Sequence, residues 1–308
     1  MKRCAISLIL ALAASLCLCA QKPSCDYSVV YAEKDTCSLV MDVFMPDVQA
    51  ETYPCMIYLY GGGFSQNNLR SKFSRELCRR FADAGYVTLA VDYRLGLKGI
   101  RFKNPVQMVK PLEHAVKMAS EDLFSAAEYV LANAEVLKID TSRILLSGSS
   151  AGAITVLQTD YELCNRTVLS AGMPEDFRFA GVISYAGAVF SREGRCNYRV
   201  HAPAPTMFLH GTADKLVEYN KIQIFNTGFF GSNALVKRFE KFGYPYMIAR
   251  FEDHSHEVAA YNNELFDETM WFIEKYVNQG RQWQIDMNAA QFDAGGNSWK
   301  LKPTDLYK

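Results

Sequence analysis

Hydrophobic and polar residues follow two periods along the chain, one typical of strands and one typical of helices. Short apolar runs such as Tyr86–Tyr93 predict strands that are buried on both faces. Apolar residues at helical spacing within Ser71–Ala84 predict a helix, and Gly85 stands where a helix end prefers glycine. The predicted strands are Tyr27–Tyr31, Ser38–Phe44, Cys55–Tyr60, Tyr86–Tyr93, Arg143–Leu146, Phe179–Tyr185, Pro205–His210 and Tyr246–Phe251. The predicted helices are Ser71–Ala84, Glu113–Leu137, Ala151–Cys164 and Tyr261–Tyr276.

The order of these elements predicts the fold class. Strands that alternate with helices of about ten or more residues imply right-handed crossovers and a mostly parallel sheet covered on both faces. We therefore predict an α/β fold, a three-layer α/β/α sandwich around a mostly parallel central sheet. One domain is expected over residues 21–278, because no repeat or low-complexity linker interrupts it. Residues 279–308 are expected to be a C-terminal tail packed on the domain or extending from it.

The first twenty residues predict export. A basic start precedes the apolar run Ala5–Cys19, and cleavage is expected after Ala20, so residues 1–20 are interpreted as a signal peptide. The run is shorter than the roughly 20 apolar residues of a spanning helix, so no stable membrane span is expected. The predicted location is periplasmic or extracellular. Lipidation of Cys17 or Cys19 is the less favoured alternative, because each follows a leucine where a small residue would be expected.

Six cysteines follow the predicted signal peptide, an even number that permits disulfides in an oxidising compartment. We favour the pair Cys25–Cys37, because both residues fall on neighbouring strands of a predicted hairpin. Buried free thiols are the alternative. None of the cysteines has the spacing of a zinc site, and no metal is expected.

The charge balance narrows the class of partner. Lys and Arg together number 33, as do Asp and Glu, so the net charge is zero. The chain has no basic stretch that would neutralise several phosphates, so nucleic acid is not an expected partner. A small neutral or weakly charged molecule fits this balance better.

A candidate nucleophile lies between a predicted strand and a predicted helix. The segment Gly148–Gly152 has the pattern Gly-x-Ser-x-Gly, with Ser150 at its centre. Acyl transfer needs a serine oxygen pushed out on a tight turn, and glycines two residues before and after provide the room. Ser150 also begins a helix, so the amide of Ala151 can point toward an oxyanion.

A second motif, Tyr60-Gly61-Gly62-Gly63-Phe64, follows another predicted strand. Successive glycines let backbone N–H groups face a pocket without side chains in the way. A developing oxyanion requires such donors, each contributing about 3 kcal/mol to transition-state stabilisation. A flexible turn is the alternative interpretation, while a phosphate loop lacks its Gly-x-Gly-x-x-Gly or Gly-Lys-Ser pattern here.

An acid and a base complete the set of candidates. Asp214 lies in the turn after Pro205–His210, at the strand end where α/β sheets place their catalytic residues, although a surface aspartate is the alternative. A Ser…Asp…His chain order leaves His254 and His256, and their spacing does not separate them.

The four motifs 60–64, 91–95, 148–152 and 210–214 resemble those of bacterial esterases and lipases of the α/β-hydrolase fold, near the hormone-sensitive-lipase-like branch. The resemblance implies a serine carboxylic ester hydrolase that forms an acyl-enzyme on a small-molecule ester without a cofactor. It implies a triad of Ser150, Asp214 and His256, the last favoured because it precedes Glu257-Val258. It also implies Gly62, Gly63 and Ala151 as oxyanion donors. Tyr60 departs from the histidine that often begins the glycine motif, which changes what braces the loop.

Two other functions stay open from the sequence. One is an exopeptidase of the same fold, and the other is a catalytically inactive hydrolase fold used for binding. Export and the basic, partly aromatic segment Gly96–Pro111 also suggest that the alcohol part of the substrate is a carbohydrate or aryl group, such as an acetylated or feruloylated sugar. A plain surface connection is the alternative interpretation of this segment. That segment and Leu169–Phe179 are the candidates to cover the pocket.

Overall fold

A nine-stranded sheet lies at the centre of the protein, whose computed structural model describes residues 25–34, 37–102 and 105–289. The strands are β1 (Tyr27–Lys34), β2 (Cys37–Phe44), β3 (Tyr53–Leu59), β4 (Val87–Val91), β5 (Ile139–Ser149), β6 (Gly181–Tyr185), β7 (Ala188–Ser191), β8 (Thr206–Gly211), β9 (Lys221–Ile224), β10 (Thr227–Gly231), β11 (Tyr246–Phe251) and β12 (Gln284–Asn288). The spatial order in the large sheet is β1-β2-β4-β3-β5-β6-β8-β11-β12. Strands β7, β10 and β9 form a separate antiparallel sheet.

Most of the large sheet is parallel, as the sequence predicts. Only β1 with β2 and β2 with β4 are antiparallel, and every other neighbouring pair runs in the same direction. Every residue of β4 and of β6 is buried, which explains why these strands read as continuous apolar runs rather than as alternating ones. The predicted α/β fold with a mostly parallel central sheet is confirmed.

Helices cover the sheet. They are α1 (Lys72–Asp83), α2 (Pro105–Ala132), α3 (Ala134–Leu137), α4 (Ala151–Cys164), α5 (Ser232–Phe242) and α6 (Phe266–Phe272), with a π-helical turn over Ile273–Asn278 and 3₁₀ turns over Val168–Ser170 and His256–Ala260. Helices α2 and α4 pack together, while Tyr185 of β6 reaches α6 through a 2.6 Å contact with the hydroxyl of Thr269. Among the described residues, none of these helices is both long and apolar enough to cross a membrane.

Two predicted helices have different bounds in the structure. The helix expected over Glu113–Leu137 begins at Pro105 and includes Pro111. A proline inside a helix costs about 3 kcal/mol, so the sequence favours a start after Pro111, whereas the helix in the structure continues through it. The helix expected over Tyr261–Tyr276 is shorter in its α-helical part and continues as the π-helical turn.

Part of the predicted tail belongs to the large sheet. Strand β12 pairs in parallel with β11, with Gln284 opposite Tyr246 and Asn288 opposite Arg250. The predicted domain boundary at residue 278 therefore falls just before the sheet's last strand. Residues 290–308 of the predicted tail, like residues 1–20, lie outside the described residues.

The cysteine pair favoured from the sequence is not bonded. All six described cysteines are free thiols, and Cys25 and Cys37 lie at opposite ends of the β1–β2 hairpin. Cys37 pairs with Lys34, nine positions along the chain from Cys25. At about 3.3 Å per residue that distance approaches 30 Å, far beyond the reach of a disulfide.

Candidate active site

Ser150 occupies a sharp turn between β5 and α4. Its backbone has φ 52° and ψ −116°, a region that non-glycine residues rarely adopt. A Cβ atom on Gly148 would lie 2.4 Å from the carbonyl oxygen of Gly152, and one on Gly152 would lie 2.1 Å from that of Leu59. Both glycines are therefore required by close backbone approach, which is the physical reason for the motif around the serine.

Asp214, His256 and Ser150 form a continuous chain of contacts. Oδ2 of Asp214 lies 2.7 Å from Nδ1 of His256, and Nε2 of the same ring lies 2.8 Å from Oγ of Ser150. Because the carboxylate can only accept, Nδ1 carries the proton and Nε2 is free to take one from the serine. The three residues come from the turns after β5, β8 and β11, whose carboxyl ends share one edge of the sheet.

The carboxylate of Asp214 is buried and fully engaged. Its Oδ1 accepts from the amides of Leu216 at 2.8 Å and Val217 at 3.1 Å. Burial alone would raise the pKa of Asp214, but hydrogen bonds from His210 and His256 outweigh burial and hold it well below its usual range. The acid therefore stays ionised and can stabilise an imidazolium on His256.

His210 is a second imidazole beside the acid, and sequence reasoning did not assign it a role. Its Nε2 lies 2.9 Å from the carbonyl oxygen of Val217 and 3.2 Å from Oδ2 of Asp214. Both neighbours are acceptors, so this nitrogen carries a proton, while Nδ1 contacts the hydroxyl of Ser232 at 2.8 Å. The signal in the sequence is its place four residues before Asp214, in a chain with only five histidines.

His254, the other candidate base, lies away from this chain of contacts. Its Nδ1 is 3.3 Å from Oε1 of Glu257 and 3.3 Å from the hydroxyl of Tyr261. Its backbone carbonyl accepts from the amide of Ala213. His254 therefore braces the loop that carries Asp214, whereas His256 contacts both other members of the triad.

The glycine loop lies directly against Ser150. A Cβ atom on Gly61 would lie 3.1 Å from that of Ser150. Gly62 has φ 141° and Gly63 has φ 60°, so both use backbone conformations that favour glycine. The carbonyl of Gly62 turns away from the serine and accepts from the amides of residues 65 and 66. The amide of Ala151 is the first N–H of α4 and has no acceptor within the helix.

Tyr60 braces the glycine loop where related enzymes often have histidine. Its hydroxyl donates to Oδ1 of Asp92 at 2.6 Å, and its ring stacks on Tyr93 with centroids 4.7 Å apart. The hydroxyl of Tyr93 in turn donates to the carbonyl of Tyr60. Asn67 donates to the same Asp92 oxygen from the far end of the loop. The loop is thus anchored at both ends on one carboxylate.

These groups surround a cavity of about 360 Å³, which we call the catalytic cavity. The described lining residues are Tyr58, Tyr60, Gly61, Gly62, Gly63, Gln66, Asn68, Ser71, Phe73, Ser74, Ser149, Ser150, Leu216, His256, Ala259 and Ala260. No group of three or more His, Cys, Asp or Glu side chains in the described part of the chain is placed to hold a metal ion. The arrangement suits nucleophilic attack by a serine on a small carbonyl compound.

Comparison with solved structures identifies the fold. Esterase 2 of Thermogutta terrifontis superposes with a TM-score of 0.58 at 21% identity, over 82% of this chain and 93% of that one. The chain has the α/β-hydrolase fold. The same esterase phosphonylated by cyclosarin gives a TM-score of 0.60 at 19% identity, over 86% of this chain and 98% of that one.

Sequence comparison shows similarity to esterases. Residues 41–189 match the BD-FAE family model. Ethyl acetate hydrolase of Pseudomonas putida is 30% identical over 136 residues, 43% of this chain and 37% of that protein. Gut esterase 1 of Caenorhabditis elegans is 28% identical over 120 residues, 39% of this chain and 20% of that protein. The chain thus spans less than two fifths of the curated relatives it matches, and the resemblance to esterases indicated by the motifs is confirmed.

Proposed function

We propose that this α/β-hydrolase is a serine esterase that cleaves carboxylic esters through an acyl-enzyme on Ser150. The observation that carries the proposal is the chain of two short contacts, Asp214 to His256 at 2.7 Å and His256 to Ser150 at 2.8 Å. A buried acid, a base of defined tautomer and an accessible hydroxyl are the parts that nucleophilic acyl transfer needs.

The reaction follows from the positions of these groups. Nε2 of His256 takes the hydroxyl proton as Oγ of Ser150 attacks the ester carbonyl, and the imidazolium is stabilised by Asp214. The amides of Gly62, Gly63 and Ala151 are the proposed donors to the resulting oxyanion. His256 then gives its proton to the departing alcohol, and a water activated by the same ring releases the acid.

Two observations favour an ester over a peptide as substrate. The curated relatives are named as esterases, one of them an ethyl acetate hydrolase. The catalytic cavity of about 360 Å³ suits a small molecule better than an extended polypeptide. The exopeptidase and the inactive binding protein expected as alternatives from the sequence have no such support.

The test is hydrolysis of p-nitrophenyl acetate and butyrate by the wild type and by three alanine variants. Ser150→Ala and His256→Ala should each lower kcat by about 10³-fold or more, because members of a triad act as a unit. His254→Ala is the matched control, a neighbouring histidine that does not touch Ser150, and should keep activity close to wild type.

An exopeptidase would instead release p-nitroaniline from aminoacyl anilides and leave the esters untouched. Wild-type protein that hydrolyses neither substrate class would contradict the proposal. Loss of activity in His254→Ala but not in His256→Ala would contradict the assigned base.

The prediction that the alcohol part is a carbohydrate stays a prediction. Its support is the polar lining of the catalytic cavity by Gln66, Asn68, Ser71 and Ser74. Acetylated xylo-oligosaccharides and feruloyl esters are the substrates that test it, with absence of turnover on both as the contrary result.

We also propose that residues 1–20 direct export and are removed after Ala20. The support is the basic start and the apolar run before a small residue. N-terminal sequencing of protein recovered from the periplasmic or extracellular fraction should begin at Gln21. A chain that keeps Met1 in the cytoplasm would contradict export, and a lipid on Cys17 or Cys19 would replace soluble release with membrane anchoring.

A further inference from the structure

A second cavity of about 580 Å³, here called the apolar cavity, lies beside the catalytic one. The small antiparallel sheet, the first turns of α2 and the segment after Asp214 form its walls. Its described lining residues are Gln107, Met108, Val109, Lys110, Leu112, Ile154, Ala188, Phe190, Leu216, Val217, Glu218, Ile222, Ile224, Phe225, Thr227, Gly228 and Phe229. No step of the mechanism above uses this cavity.

The apolar cavity adjoins the triad. Leu216 lines both cavities, and its amide donates to Oδ1 of Asp214. Ile154 lies one helical turn after Ser150, with its amide bonded to the carbonyl of that serine. The elements that hold the nucleophile and the acid therefore also form one wall of the apolar cavity.

The lining determines which chemical group would bind. Most of the side chains in the wall are aliphatic or aromatic, and only Gln107, Lys110, Glu218 and Thr227 bring polar groups. A hydroxylated sugar would lose hydrogen bonds to water here without replacing them. An alkyl chain loses nothing on leaving water and gains from the removal of apolar surface.

The β9–β10 hairpin leaves apolar surface open at this cavity. Ile222 is 54% exposed, Ile224 is 57% exposed and Phe225 is 93% exposed, although all three line the cavity. Lys221 and Gln223 alternate with the isoleucines along β9, and Lys221 contacts Gln223 rather than the cavity. Apolar side chains concentrated on one face of an exposed strand are typical of a binding surface.

The position of His256 assigns the two sides of the ester. The departing alcohol must lie near Nε2 of His256, because that nitrogen returns the proton. His256, Ala259 and Ala260 line the catalytic cavity and are not among the residues that line the apolar one. The alcohol therefore belongs in the catalytic cavity, whereas the acyl group stays bonded to Ser150, one helical turn from Ile154 in the wall of the apolar cavity.

We propose that the apolar cavity receives the acyl chain of the ester, and that the enzyme prefers medium-length alkyl acids over acetate. The inference rests on the proposed esterase function. Leu216 lines both cavities, so the chain would pass this residue on its way from the reacting carbonyl into the apolar cavity. Ile222 and Ile224 form the outer wall and cover the far end of the chain.

The test compares kcat/KM for the p-nitrophenyl esters of acetate, butyrate, hexanoate and octanoate. In the wild type, octanoate should exceed acetate by about tenfold or more, in line with the contribution of added methylenes in an apolar pocket. Ile222→Asp should lower the octanoate-to-acetate ratio by about tenfold, because a carboxylate would face the alkyl chain. Lys221→Asp is the control, since it puts the same group on the opposite face of β9 and should leave the ratio unchanged.

Other outcomes distinguish failure of the acyl-chain assignment from failure of the proposed esterase function. Turnover of acetate at the same rate as octanoate, with a ratio that Ile222→Asp does not alter, would overturn the acyl assignment alone. A preference for octyl acetate over ethyl acetate without an acyl-chain preference would overturn it too, by placing the alcohol there. Absence of turnover on every ester would overturn the esterase proposal and this inference with it. Should Ile222→Asp fail to fold, Ile224→Asp gives the same comparison.

Discussion

Asp160 is a buried carboxyl group away from the active site, on the face of α4 that meets the segment before β8. It is 5% exposed, accepts from the amide of Ala204 at 3.3 Å and has Cys164 as a further neighbour. Burial raises its pKa to about 7, and the hydrogen bond from Ala204 only partly opposes that rise. The folded protein therefore binds a proton at Asp160 that the unfolded chain releases near pH 4.

This shift makes stability fall as pH rises. Below the pKa of the unfolded chain, Asp160 makes its full contribution to the free energy of unfolding. Between that pH and about 7 only the folded state keeps the proton, so the contribution is lost as pH rises through this range. Asp160→Asn should remove this dependence, which is on the order of a few kcal/mol between pH 4 and pH 8. Urea unfolding at several pH values measures it.

The control for that measurement is Asp176→Asn, an exposed carboxylate not far along the chain. It should show the wild-type slope of unfolding free energy against pH. A slope that Asp160→Asn leaves unchanged would contradict the assigned proton.

At single positions, the sequence singled out those members of the candidate triad that stand in a local motif. The glycines on either side of Ser150 are required by close backbone approach, so this part of the site appears in the sequence as a recognisable motif. His210 was missed because its position four residues before Asp214 does not reveal that it shares an oxygen of that carboxylate with His256, 46 positions later. His256 and His254 were separable only by resemblance, since the loop geometry that divides them is tertiary.

Strand β12 illustrates an element held by a few specific contacts. Arg250 of β11 makes paired hydrogen bonds of 2.7 and 2.8 Å to Asp286, and the rings of Trp271 and Trp283 lie 6.4 Å apart. The side-chain amide of Gln284 donates to the carbonyls of Phe239 and Tyr244. The strand is therefore fastened to the sheet and to the helices beside it.

Truncation tests how much this edge strand contributes. A chain that ends at Gln279 should melt on the order of 5 °C lower than the full chain, because it loses the pairing with β11 and the ion pair to Arg250. A chain that ends at Ala289 keeps β12 with its pairing to β11 and should melt above the chain that ends at Gln279. Calorimetry compares the three, and equal melting of both truncations would contradict a stabilising role for β12.

The strands and helices that the sequence predicted are mainly those whose residues are consistently buried. The fully buried strands β4 and β6 appear in the sequence as apolar runs. Strands β9 and β12 alternate polar and apolar residues, but over only four and five positions, and most of their residues are exposed, so neither was predicted. Helix α5 was also missed, although Leu235, Val236 and Phe239 have helical spacing and a glycine with φ 69° ends it.

At the scale of the whole molecule, the sequence predicts the sheet edge where the candidate triad meets, but it does not predict the apolar cavity. The carboxyl ends of parallel strands lie at one edge of a sheet, so the turns after β5, β8 and β11, which carry Ser150, Asp214 and His256, are expected to lie close together. The apolar cavity depends instead on antiparallel pairing between β7 and β10, which are separated along the chain by β8 and β9. Pairing of that kind is set by tertiary packing rather than by a local sequence pattern.

The two rings on Asp214 have a consequence for motion during turnover. If His256 turns away, the carboxylate still holds His210 and the amides of Leu216 and Val217. The acid therefore keeps its place without help from the base. In the proposed reaction, the imidazole of His256 can move with its proton from Ser150 toward the departing alcohol, while the carboxylate of Asp214 stays in place to receive the returning ring.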